Sequence, residues 1–374
     1  MTTRHPEASE PHRARGVHWR PSQVRADGDI GLDELLTAHH EAAAFFAARV
    51  WDSWVPAYLQ ERGLAAALDL PWAAGHAPRS WTGLLDHLRE RGHDDAALVA
   101  SGLATRARTG RLIDRFRDRM MLTLRAPDGE AMAFVGRARP GADEERVPRY
   151  LNSPTTPLYR KGEHLFGLLE AADALAQGAT PVLVEGPMDA VVVSSGTRGR
   201  CAGLAVCGTA LTAAQADILA EIAQRTQKPI VVATDADPAG RASAAAAYEQ
   251  LSPRGTELLG ASLPEGSDPA AVLRELGPAA LTASLTERVV PLVDLVVDHR
   301  IDGWSGHLQW VEGRVGAFRD VAPLLAALPP RDAARQAQRV SRRIGIDLQL
   351  VQREVAQRLP PPAKARTTQG IRGR

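Results

Sequence analysis

The spacing of apolar and polar positions changes character three times along this chain. Over 32–64, Leu35, Leu36, Phe45, Phe46, Val50, Trp54 and Leu59 recur at helical intervals, and Gly63 is placed to end the run. Shorter helices are predicted over 81–91 and 94–101, with Gly92 and Gly102 as C-terminal stops. Past Leu112 the texture shifts. Residues 120–124 and 131–135 read as strands joined by a turn at Pro127, Asp128 and Gly129, which predicts a small antiparallel sheet. The stretch 149–162, rich in Pro and Asn, reads as an irregular loop.

An alternation of strands and helices follows. Short apolar strands are predicted over 181–184, 204–207, 230–234 and 257–262, separated by helices over 188–194, 212–224 and 240–251. Apolar strands interleaved with amphipathic helices imply a parallel sheet covered on both faces. Residues 285–359 return to helical periodicity. Residues 1–30 mix Pro, Arg, His and Glu without a period and read as a disordered lead-in, and 360–374 as a disordered basic tail.

Composition narrows the picture a little. At 374 residues the chain has room for two or three domains of roughly 100–200 residues each. Its 44% apolar and 24% charged content is ordinary for a globular protein. No uncharged apolar run reaches about 18 residues, and none stands behind the N-terminal charges, so a cytoplasmic protein without membrane contact is expected. Cys201 and Cys207 are the two cysteines, too few for a four-cysteine zinc site, and among Ala, Gly, Leu and Val they read as buried thiols. The net charge of +1 says nothing about partners, but 106–161 carries 13 Lys and Arg against 7 Asp and Glu. That excess is either a phosphate-binding footprint or an Arg-rich solvated surface.

The candidate chemistry is acidic. Glu185 directly ends the first parallel strand, at the carboxyl edge where open α/β sheets place ligands. Asp189 is four residues on, facing the same side if the helix has begun, or a solvated helix position. Asp235 and Asp237 follow the third strand two residues apart, so that on extended chain both point one way. Asp237 before Pro238 also suits a helix cap. Glu265 and Asp268, in the loop after the fourth strand, read equally well as plain loop residues. Carboxylates gathered on one edge repel unless a cation sits among them. Oxygen donors without His or Cys suit Mg²⁺ or Mn²⁺, and such an ion can clamp a phosphoryl transfer. Gly186, Ala236 and Gly240 would let backbone approach the site. A phosphate-binding P-loop and a G-x-S-x-G elbow are both missing.

Glu185-Gly186-Pro187-Met188-Asp189-Ala190 resembles the E-G-x-x-D-A signature of TOPRIM domains, and Asp235-Ala236-Asp237-Pro238-Ala239-Gly240 their D-x-D-x-A-G segment, about 50 residues later. Tyr150-Leu151-Asn152-Ser153-Pro154, with Lys161-Gly162 and Leu165-Phe166-Gly167-Leu168, is similar to the K-Y-L-N-S-P…K-G…L-Y-G-L stretch of the bacterial DnaG-type primases. Asp114-Arg115-Phe116-Arg117-Asp118-Arg119 looks like their D-R-F-R-x-R, Phe134 to Arg137 like F-G-G-R, and Glu265-Gly266-Ser267-Asp268-Pro269 like P-[DE]-G-x-D-P. The similarity runs over about 32–280.

This resemblance implies an α/β fold: a TOPRIM parallel sheet flanked by helices (179–283), preceded by a mixed α+β subdomain (31–178) and followed by a helical one (284–359). It implies a primase-type, DNA-directed RNA polymerase that joins ribonucleoside triphosphates on single-stranded DNA for replication. Glu185, Asp189, Asp235 and Asp237 would be catalytic, with Glu185, Asp235, Asp237, Glu265 and Asp268 around Mg²⁺ or Mn²⁺. Arg115, Arg117, Arg119 and Arg137 would line the groove, and Tyr150, Asn152 and Lys161 would contact nucleotide or hybrid. Such primases usually begin with a zinc ribbon. This sequence has no cysteine near its start, so no zinc is expected, a separate protein would supply template recognition, and a zinc-bearing initiation protein or a replicative helicase is the partner implied. Arg149 replaces the usual Lys before Tyr150, and Ala236 a common Gly. The competing readings are a TOPRIM nucleic-acid-binding accessory and a TOPRIM nuclease.

Overall fold

A computed structural model describes residues 30–358 apart from Glu144 and Thr209. The expected lead-in (but for Ile30) and the expected tail lie outside the described residues. The chain through Leu292 forms one compact unit and the chain from Val293 a second.

The first unit begins with α1 (Leu32–Ala48) and α2 (Val55–Glu61). The single helical run expected over 32–64 is therefore two helices. Ser53 divides them: its hydroxyl donates to the Val50 carbonyl and accepts from the Val55 amide. A side chain that bonds nearby backbone competes with the helix in this way. Then come β1 (Gly75–Ala77), α3 (Gly83–Arg89), α4 (Asp95–Ala100), β2 (Ala104–Arg106), β3 (Leu112–Asp114), β4 (Arg119–Arg125), β5 (Ala131–Ala138) and β6 (Tyr150–Asn152). Asp94 caps α4, accepting from the Ala97 amide at 2.6 Å, worth about 1 kcal/mol. Buried Asp114 accepts from the Leu84 and Leu85 amides at 2.9 Å, so a distant carboxylate supplies the start of α3.

The order β1-β4-β5-β6 makes an antiparallel sheet. Here the loop expected over 149–162 needs correction. Tyr150 pairs with Arg137 and Asn152 with Val135, so a three-residue edge strand hides among turn-forming residues. β5 is buried along its whole length because both faces are covered. On one face Phe134 meets Phe46 of α1 edge-on at 5.4 Å. On the other, Met120, Leu122 and Leu124 of β4 join an apolar cluster with Val182, Val184 and Val191.

Those valines belong to the second sheet. After α5 (Ala172–Ala176) come β7 (Thr180–Val184), α6 (Pro187–Gly196), β8 (Cys201–Ala205), α7 (Ala213–Thr226), β9 (Ile230–Val232), α8 (Pro238–Leu251), β10 (Leu258–Ala261), α9 (Pro269–Thr286) and β11 (Val289–Pro291). The order is β11-β10-β9-β7-β8, parallel except for β11. Two expectations shift. β8 starts earlier than 204, with Val206 and Cys207 beyond its end, and β11 occupies a place expected to be helical. Gly203 lets α6 press onto β8, since a Cβ there would stand 2.3 Å from the Ala190 carbonyl oxygen. From β7 the chain crosses to β8 on one side and then to β9 on the other. Strand order thus reverses between β7 and β9, the switch point where such sheets open a crevice.

The second unit is helical: α10 (Leu292–Asp302), α11 (Val311–Ala326), α12 (Pro330–Ile344) and α13 (Leu348–Arg358). Asp294, Asp298 and Asp302 recur every four residues on α10, and Arg335, Arg339 and Arg343 on α12. Arg335 grips Asp294 with two bonds of 2.7 Å. Arg339 bridges Asp294 and Asp298, and Arg343 bridges Asp298 and Asp302. Among the described residues no helix is long and apolar enough to cross a membrane.

Candidate active site

Glu185 follows β7 and Asp235 follows β9, so the two acids flank the switch point. The half-buried Glu185 carboxylate accepts from the Asp235 amide and is hydrogen-bonded to Ser243. Its Oε1 is buried with no partner. Burial, then the charge of Asp235, raises its pKa. Burial also raises Asp235, helped by Asp268 and Asp237 and opposed by Arg149. Asp189 lies in the first turn of α6 and folds back to accept from the Gly186 amide at 3.2 Å. Burial, followed by the charges of Asp235 and Asp268, pushes its carboxyl up to about 7.

Two members of the set are helix caps as well. Asp237 accepts from the Gly240 amide at 2.7 Å and starts α8. Asp268 accepts from the Ala271 amide at 2.6 Å and starts α9. The cap and the site are therefore one placement: capping brings each acid to the sheet edge. Glu265 is exposed in its loop and is not among the charges acting on Glu185, Asp189 or Asp235. Gly240 is indispensable, because a Cβ there would sit 1.9 Å from the Asp235 carbonyl oxygen. An orphaned buried oxygen and three carboxyls raised by burial and then by neighbouring acids suit a hard divalent cation such as Mg²⁺ or Mn²⁺. As the side chains stand, no three described His, Cys, Asp or Glu groups converge to hold an ion, because the caps turn Asp237 and Asp268 toward their helices. The donors fit by chemistry and charge, and rotation of side chains must close them.

The basic residues gather elsewhere in the same unit. A cavity of about 930 Å³ is lined by Arg79, Arg115, Arg117, Arg119, Arg139 and Arg146, with Trp81, Asp118 and Asp143. Three of these guanidiniums rest on neutral groups. Arg115 donates to the Asn152 carbonyl at 2.9 and 3.2 Å. Arg119 is buried and donates to the Gly136 and Pro148 carbonyls at 3.0 and 2.9 Å. Arg117 donates to the Asp114 carbonyl and lies 4.5 Å from the centre of the Trp81 ring. Burial lowers the pKa of all three.

Arg137, Tyr150, Asn152 and Lys161 do not line this cavity. Arg137 is buried on a row that runs His76, Met120, Arg137, Tyr150 across the sheet. Its Nη1 donates to the Tyr150 hydroxyl at 2.6 Å, and the guanidinium stands 5.3 Å from Tyr58 and 5.2 Å from Tyr150. Its Nε has no partner. Tyr150 feels the charges of Asp189 and Arg149, and Asp235 feels Arg149, so this pair marks where basic and acidic regions meet. Asn152 ties the two sheets together, donating to the Cys207 carbonyl at 2.8 Å. Lys161 reaches the same edge, its Cε 3.6 Å from where a Gly208 Cβ would be. Sequence reasoning missed Arg79, Arg139, Arg146 and Ser243, which sit in no motif. Arg149 was legible through its place beside Tyr150.

Two families match the chain: one described as DNA primase catalytic core, N-terminal domain, over residues 47–172, and one described as Toprim-like, over 182–273. A protein of Neisseria meningitidis named DNA primase is 33% identical over 330 residues, 87% of this chain and 53% of that protein. The chain thus spans about half the length of the curated relatives it matches. A DNA primase domain from Pseudomonas aeruginosa is 30% identical with a TM-score of 0.70, covering 86% of this chain and 99% of that one. The RNA polymerase domain of Mycobacterium tuberculosis primase DnaG, in complex with double-stranded DNA, is 29% identical with a TM-score of 0.69, covering 85% and 99%.

Proposed function

This chain belongs to the catalytic-core family of the DnaG-type DNA primases, and from that premise we propose that it synthesises short RNA primers on single-stranded DNA from ribonucleoside triphosphates in the cytoplasm. The observation that carries the reading is the pairing of an uncompensated acid cluster at a sheet switch point with an uncompensated arginine cavity in one compact unit. A pure nucleic-acid binder gains nothing from carboxylates placed near phosphate.

Glu185, Asp235 and Asp237 would hold a divalent cation, which when bound neutralises triphosphate charge and stabilises the leaving oxygen. Asp189 supports the cluster from α6, where its proton makes room for that charge. Arg149 and Tyr150 stand where the triphosphate's negative charge meets the protein. The cavity arginines take the template backbone, with forked donors suited to phosphate. Glu265, exposed in its loop, would be a peripheral member of the set.

The test is primer synthesis on single-stranded DNA with labelled ribonucleotides and Mg²⁺, comparing wild type with Asp235→Ala. Short RNA from wild type and at least about 100-fold less from the variant is expected. Salt-sensitive binding with no product from either would make the chain a binding accessory, and cleaved template would make it a nuclease. Product that appears only when a helicase or a zinc-bearing protein is added would assign start-site selection to that partner.

A further inference from the structure

α8 turns a face of small residues toward the ligand edge of the parallel sheet. Gly240, Ala244 and Ala247 recur on it at helical spacing and are buried. Three residues after Gly240 and four before Ala247, Ser243 falls on the same face and is half-buried. A hydroxyl inside a helix commonly points to water or bonds the carbonyl four residues back. Thr37, Thr226, Thr282 and Thr286 bond back in that way. Among the described residues Ser243 makes no such bond. Its partner is the Glu185 carboxylate, across the gap between α8 and the end of β7.

The surroundings leave that carboxylate few other donors. Glu185 and Ser243 line one small pouch of about 40 Å³ at the switch point, with apolar walls that include Leu183, Val206 and Leu211. Thr234 lines it as well, but the groups that donate to Glu185 are the Ser243 hydroxyl and the Asp235 amide. Glu185 Oε1 is buried with no partner. Both donors therefore fall on Oε2. A carboxylate held at one oxygen from two directions, by a strand-end amide and by a helix hydroxyl, cannot turn freely about its last bond. Its other oxygen is left aimed and unpaired, an acceptor that a donor or a cation must satisfy.

We propose that Ser243 is a positioning residue for the metal site: together with the Asp235 amide it fixes the Glu185 carboxylate through Oε2, and so presents Oε1 to the divalent cation. The proposal rests on the reading of Glu185 as a cation ligand, and it adds the neighbour that sets the orientation of that ligand. Loss of such an outer hydrogen bond typically weakens metal binding by about 10–100-fold. Ser243 acts on the ion only through Glu185, so its signature lies in metal affinity.

The experiment is titration of the whole chain with Mn²⁺, following free Mn²⁺ by electron paramagnetic resonance, so that binding is read without any reaction. The proteins are wild type, Ser243→Ala and Ser243→Thr. Ser243→Ala is expected to bind Mn²⁺ at least about 10-fold more weakly, whereas Ser243→Thr, which keeps the hydroxyl, should stay within about threefold of wild type. Equal Mn²⁺ affinity for wild type and Ser243→Ala overturns the proposal; a fall in melting temperature in metal-free buffer without that loss of affinity would make the hydroxyl merely structural. A Ser243→Thr protein as weak as Ser243→Ala overturns it too, since the hydroxyl would then not be the group that matters. Alanine is the better helix former, so Ser243→Ala should fold. If it does not, Ser243→Cys, similar in size and a weak donor, is judged by the same criterion. Wild type that binds no Mn²⁺ would sink the cation reading itself, a result distinct from binding that ignores Ser243.

Discussion

The two compact units treat charge in opposite ways. In the helical unit Asp294, Asp298 and Asp302 are interleaved with Arg335, Arg339 and Arg343, so each charge is answered within about 3 Å. In the first unit, ion pairs such as Arg125 with Glu170 form elsewhere, but at the candidate site the signs are sorted. Arginines collect around one cavity against carbonyls and an indole, and carboxylates collect at one sheet edge against each other. Interleaved charge completes a structure. Sorted charge leaves a field suited to a ligand of the opposite sign, anionic at the cavity and cationic at the sheet edge. Arginine content therefore does not identify a binding surface; the partner of each guanidinium does.

The contrast breaks most visibly at the cavity. Arg79 and Arg139 are exposed and carry no ion pair among the described residues, so Arg79→Glu with Arg139→Glu should leave the melting temperature unchanged. The same double variant should weaken single-strand binding about 100-fold and flatten the salt dependence by about 1.4 logarithmic units per decade of salt, two phosphate contacts' worth. Fluorescence anisotropy across a salt series reads both.

A smaller effect is expected at the acid edge. Asp189 has its carboxyl raised from 3.8 to about 7 on folding. A raised carboxyl contributes stability that is complete below the unfolded value and lost as pH climbs through the folded one. In metal-free buffer, stability should therefore rise by about 1.4 kcal/mol from pH 8 to pH 6 relative to Asp189→Asn. Thermal melts of both proteins measure the difference, and Mg²⁺ should shrink it by stabilising the charged form. A flat difference would remove Asp189 from the sorted cluster.

The smallest effect belongs to the ladder. Asp298→Ala releases Arg339 and Arg343 but leaves Asp294 and Asp302 to hold them. Because these side chains are partly exposed, the loss should be at most about 1 kcal/mol, with no change in strand binding. A loss of strand binding would mean that the ladder arginines also serve a ligand.

Much of this was readable beforehand, for physical reasons that differ by residue. Glu185 stood out because an acid directly ending an apolar strand has few other uses. Asp237 and Asp268 carried two readings that turn out to be one geometry, since a cap after a parallel strand lies at the ligand edge. β6 and β11 escaped notice because a three-residue edge strand needs a partner, not a pattern, to form. Arg119 and Arg137 were named as groove residues, and what the sequence hid was their burial. Sequence periodicity reads arginine as surface, yet both are buried, one on carbonyls and one between tyrosines. Arg79 and Arg139 join the cavity only because β1 and β5 are both bound to β4.

The two helix caps have a coordination consequence. Asp237 and Asp268 each have one oxygen engaged by a helix amide, which leaves one oxygen free. A carboxylate that keeps its cap would offer an ion mainly its other oxygen, leaving water to fill more of the coordination sphere. Calcium gathers roughly six to eight oxygens and favours bidentate carboxylates, whereas magnesium retains several waters and accepts one or two acids. With the caps intact, magnesium is therefore expected to bind this edge more tightly than calcium, a difference that titration with each ion measures.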